Sequence, residues 1–90
     1  MPYVLICRDA PGKLGVRQAT REAHLAYAAD SGLVSLGGPF LDEAGQMCGS
    51  LIVLAVEDRD AAQAFADNDP YRLAGLFESV EILPWKRVIG

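Results

Sequence analysis

A chain of 90 residues, 51% apolar and 22% charged, has the balance of one folded domain and no room for a second core. Its net charge of -4, with no run of four Lys or Arg, lacks the basic stripe that phosphate binding needs and argues against nucleic acid as a partner. No apolar run approaches the roughly 20 residues that span a bilayer, and a domain this small buries only about 60–65% of its unfolded surface, which favours self-association.

In chain order, "YVLIC" (Tyr3 to Cys7) is a continuous apolar run of strand length, suited to the inside of a sheet. Pro11, Gly12 and Gly15 make the next stretch a loop. From Val16 to Asp30 the chain turns to Ala, Arg, Glu, Gln and Leu, good helix formers, and Gly32 is a natural stop. At about 100° per residue, Val16, Ala19, Ala23, Ala26 and Tyr27 share an arc, the expected sheet-facing side. "LVSLGGPF" (Leu33 to Phe40) predicts a short strand closing on a tight turn at Gly37, Gly38 and Pro39, with a hairpin around Gly45.

"SLIVLAV" (Ser50 to Val56) is the most apolar run and predicts a buried strand. Asp58 reads as the N-cap of a second helix running to about Ala66, and Asp69-Pro70 closes it, because the residue before proline avoids the α region. A compact loop with Leu73, Gly75 and Phe77 is expected next, then a half-exposed strand in "ESVEILPWKRV", where Val80 and Ile82 alternate with Glu81. The order βαββαβ predicts a single α+β domain over residues 1–90 with a ferredoxin-like fold. Four antiparallel strands carry both helices on one face, and a second copy covers the other face to give a homodimer through the sheets.

The N-terminus lacks a basic segment and a small-residue cleavage site, so it reads as a strand rather than a signal peptide and a cytoplasmic location is expected. Cys7 and Cys48 are then expected to be reduced; two Cys and one His are too few for a zinc site. Cys7 in a strand reads as inert core, and Cys48 has no histidine close in sequence to activate it. No phosphate loop, dinucleotide fingerprint or nucleophile elbow occurs, which leaves proton-transfer chemistry without a cofactor.

"YVLICRD", "REAHLAY", "GGP", "GSLIV" and "DNDPYRLAGLFESVEILPWK" together resemble the YciI-like (YCII-related) family of small dimeric α+β proteins, from Tyr3 to about Lys86. The resemblance implies a ferredoxin-like fold related to the dimeric α+β barrels and a reactive histidine and aspartate at a cleft. Carried over, these fall on His24 and Asp69, with Asp9 as the reserve partner.

The residues add their own argument. Arg17, Arg21 and the only histidine, His24, stand at i, i+4 and i+7, on one side of the first helix and bordering its apolar arc. An imidazole, which titrates near 6.5 when unperturbed, can exchange protons near neutrality, whereas a lone helix-flank histidine is more often structural. Arg17 and Arg21 are either a solvated face or a clamp for a carboxylate or phenolate, and Arg21 is the better candidate. Asp69 has the alternative of capping the backbone after it. Ser50 opens the core strand as a substrate-binding candidate, Tyr71 and Phe77 read as core, and Trp85 as a seal on the sheet or dimer face.

Two functions fit. One is a cofactor-independent enzyme acting on a small organic acid (isomerase, lactonase or lyase type), with His24 and Asp69 as the proton-transfer pair and Arg21, Ser50 and Asp9 binding substrate. The other is a non-catalytic dimeric module that binds a small metabolite.

Overall fold

The computed structural model describes residues 2–90. The element order is β1 (Tyr3–Asp9), α1 (Leu14–Ser31), β2 (Val34–Leu41), β3 (Met47–Leu54), α2 (Arg59–Asn68), a one-turn α3 (Pro70–Leu73) and β4 (Phe77–Pro84). The strands form one antiparallel sheet in the order β2-β3-β1-β4, the ferredoxin-like arrangement expected from the βαββαβ pattern.

Alternation along the strands divides the sheet into two faces. Leu5, Ile52 and Ile82 stand opposite one another on the helix side and are buried with Leu54, Val56, Ala62 and Phe65 in a single core. The opposite face carries a cross-strand row of Leu36, Val53, Val4 and Leu83, in which Leu36 and Leu83 are exposed in the single chain.

The local signals act as their chemistry requires. Gly32 ends α1 in the left-handed region at φ 67°. Asp58 caps α2, its side chain accepting from the Ala61 amide at 2.8 Å. Asp42 accepts from the Ala44 and Gln46 amides in the β2–β3 turn, where Gly45 takes φ 81°.

Four expectations need correction. Gly37, Gly38 and Pro39 do not turn: they continue β2 and pair with Ile52, Leu51 and Ser50. Proline is tolerated there because β2 is a sheet edge, with no second neighbour awaiting its missing N–H. The buried side of α1 is not the alanine arc, since Ala19, Ala23 and Ala26 are exposed while Arg17 and His24 are the buried residues of the helix. Polar side chains with partners displaced that arc. The stretch after Asp69 is helical over Pro70–Leu73 rather than loop, because proline suits the first turn of a helix and Asp69 caps it. Finally, β1 runs on to Asp9, and β3 spans Met47–Leu54 rather than Ser50 to Val56.

Candidate functional site

The site is built where the first three turns of α1 pass the end of β1 and the middle of β3. Asp9 is the last residue of β1, just past an irregularity in its register with β4. Arg17, one turn into α1, meets it in a fork: Nε donates to Oδ2 at 2.7 Å and Nη2 to Oδ1 at 2.8 Å. Nη2 also donates to Ser50 Oγ on β3 at 2.9 Å. Burial opposes the guanidinium charge, but Asp9 outweighs it, and the Arg17 pKa lies above its ordinary value.

Seven residues on, His24 lies on the same side of α1. Its Nδ1 is 2.9 Å from Asp69 Oδ1, and Asp69 is 2% exposed. Asp69 is held at the junction of α2 and α3, where the same oxygen accepts from the Tyr71 amide at 2.9 Å. The short Asp-Pro-Tyr stretch therefore both caps a helix and supplies the histidine's partner. Tyr71 stacks on the imidazole, with ring centroids 4.1 Å apart and planes 18° from parallel, and the Arg17 guanidinium carbon lies over the same Tyr71 ring, 4.6 Å from its centroid. Burial raises the Tyr71 phenol above its usual range although Arg17 and Arg21 pull it down, so it stays protonated at neutral pH.

These groups border a cavity of about 140 Å³ between α1 and the β2–β3 edge of the sheet. Arg17, Arg21, His24, Ser50 and Tyr71 supply its polar wall; Leu25, Ala28, Val34, Pro39, Met47 and Ile52 supply its apolar one. Gly37 also lines it, and a Cβ there would come within 3.2 Å of the Leu51 carbonyl oxygen. Among the described residues no buried side-chain nitrogen or oxygen lacks a hydrogen-bond partner. His24 Nε2 has no partner among the described residues, and His24 lines the cavity, so Nε2 is the ring nitrogen left for its open space. With Nδ1–H given to the carboxylate, neutral His24 presents a lone pair at Nε2.

His24, Asp69, Arg21 and Ser50 are thus gathered around or directly behind one cavity. Arg21 is exposed at its rim. Asp9 is not among the lining residues and bonds Arg17, not His24. Sequence reasoning missed the position of Tyr71: it is buried as a core residue would be, yet it touches both the cavity and the imidazole. Its place two residues after Asp69 was the available signal. Arg17, by sequence the weaker candidate of the two arginines, is buried and bonds Ser50. Leu25, outside that alanine arc, also lines the cavity. Phe77 packs against the core and edge-on to Tyr71, and Trp85 is half-buried with its amide donating to the Pro2 carbonyl. Cys7 is buried and Cys48 exposed, and both are free.

The model of the YCII-related domain matches residues 1–86. The chain belongs to the YCII-related family. Protein YciI of Escherichia coli O6:H1 is 37% identical over 97 residues, covering 98% of this chain and 99% of that protein. A Haemophilus influenzae protein is also 37% identical, with the same coverage. Among solved structures, the 5-chloro-2-hydroxyhydroquinone dehydrochlorinase TftG from Burkholderia phenoliruptrix AC1100, in complex with 2,5-dihydroxybenzoquinone, superposes with a TM-score of 0.88 at 33% identity. The match covers 98% of this chain and 96% of TftG. An antibiotic biosynthesis monooxygenase, at 10% identity and a TM-score of 0.61, shares the fold. No helix among the described residues of this YCII-related chain is long and apolar enough to cross a membrane.

Proposed function

We propose that this chain is a cofactor-independent enzyme in which His24 moves a proton on a small, ring-shaped organic acid. Asp69 fixes the imidazole tautomer and Arg21 holds an anionic group of the substrate. The observation that carries this reading is the buried 2.9 Å bond from His24 Nδ1 to Asp69, which leaves Nε2 free at a cavity of about 140 Å³. That space suits one ring, not two. His24 Nε2 accepts a proton from a substrate O–H or C–H; the electron pair left behind expels a leaving group, and the net change is loss of HX. The likeness to TftG, a dehydrochlorinase, favours elimination over isomerisation or lactone opening.

The protein as proposed works in the cytoplasm as a homodimer, without nucleic acid. The apolar row of Leu36, Val53, Val4 and Leu83 is the face that a second copy covers. Sedimentation equilibrium is expected to give twice the chain mass of 9.6 kDa; a monomer at micromolar concentration overturns the dimer.

The test of the chemistry is halide release from a panel of chlorinated hydroquinones. The wild type is expected to turn over at least one, and His24→Gln to lower kcat by about 10²–10⁴-fold with KM little changed. Equal turnover by His24→Gln sinks the proposal. Ligand binding by the wild type with no turnover favours the metabolite-binding module instead.

A further inference from the structure

We propose that Ser50 is the oxyanion donor of this site, giving its hydroxyl proton to a carbonyl or phenolate oxygen of the substrate, with Arg17 as its positioning residue. This rests on the reading of the cavity as a proton-transfer site, and it adds a second electrostatic station to it.

Three observations meet at Ser50. It is 3% exposed, on the helix side of β3 opposite Cys7 and Pro39, and it lines the cavity. Its Oγ accepts a hydrogen bond from Arg17 Nη2 at 2.9 Å. Its own O–H finds no acceptor among the described residues. A hydroxyl is one donor and two acceptors, so a charged donor on an oxygen lone pair leaves the proton polarised and available. Buried donors are rarely left idle, and the cavity is the remaining place for an acceptor.

Arg17 is not itself the counter-ion for a substrate anion. Asp9 engages it through two oxygens at 2.7 and 2.8 Å, so its charge is already matched, and the fork fixes the direction of the Nη2–H that meets Ser50. Asp9 therefore acts two steps from the substrate, through Arg17. A standing negative charge falls to Arg21 at the exposed rim, and charge that develops during the reaction falls to Ser50. Two such stations select a ring bearing at least two oxygens, a hydroquinone or its quinone, over a ring with a single carboxylate.

The experiment uses 2,5-dihydroxybenzoquinone as a probe of the intact protein, with Kd from its absorbance and its C=O stretch from Raman difference spectra. In the wild type the stretch is expected to shift down on binding. In Ser50→Ala and the near-isosteric Ser50→Cys it returns toward the free value, and Kd rises by about tenfold. Ser50→Thr, which keeps the hydroxyl, retains the shift, as does His24→Gln. An unchanged stretch and Kd in whichever of the two hydroxyl-deleted variants folds overturns the role of Ser50 and leaves the His24 reading intact. Failure of the wild type to bind the probe overturns the substrate class itself, and this inference with it.

Discussion

The two long helices lie on the same sheet face and are held there by different means. α2, ten residues long, buries Ala62, Phe65 and Ala66 and adds them to the core with Leu5, Leu54 and Ile82. α1, eighteen residues long, buries only Arg17 and His24, each tied to a carboxylate that belongs to another element. The Tyr27 hydroxyl, donating to the Phe65 carbonyl at 2.8 Å, is where the two regimes meet. Burial by area is non-directional and tolerates repacking, whereas burial of charge holds only while every partner is present. The fold thus places most of its apolar helix burial under α2 and its buried polar pairs under α1.

Paired substitutions put that division at risk. Phe65→Ala empties the apolar half and is expected to cost about 3–5 kcal/mol in urea unfolding, whatever its neighbours do. Arg17→Met leaves Asp9 buried and unpaired, with a loss of about 3 kcal/mol. The double variant Arg17→Met/Asp9→Leu is expected to recover most of that loss, since apolar groups can replace a buried ion pair. No recovery in the double variant means that α1 is held by packing, as α2 is, and the contrast between them is lost.

The same contrast explains what the sequence revealed. β4 and α2 were legible because their local signals matched the structure: Ile82 is buried beside exposed Glu81, and Asp58 caps as expected. The buried side of α1 was misread because the arc was sought among alanines. Arg17 and His24 at i and i+7 lay on one side of the helix, but nothing local says that an arginine is buried; its partners Asp9 and Ser50 stand 8 and 33 residues away. His24 and Asp69 are 45 residues apart, and only the resemblance joined them before the structure did. Gly37 to Pro39 reads as a turn in any local scheme, and only the edge position of β2 makes it strand.

Alkaline pH gives the smallest effect and the finest probe of where the two regions touch. Cys7 sits on β1 in the apolar core yet within the field of the polar network. Burial, then the Asp69 charge, push its thiol from 9.0 up to about 12, with Arg17 opposing. The folded state thus holds this proton where the unfolded chain has already lost it. The stabilisation is complete below pH 9 and is lost as pH rises from 9 toward 12. By pH 10 the loss relative to pH 8 is on the order of 1 kcal/mol, the worth of about one pKa unit. Tyr27 and Tyr71, whose phenols are also raised by burial, act in the same direction above pH 10.0. Chemical denaturation of the wild type and Cys7→Val across this range separates the contributions. The valine variant should stay level to pH 10 and fall only beyond it. If both proteins decline together from pH 9, the thiol is not the group that titrates, and the boundary between the apolar and polar halves does not run through Cys7.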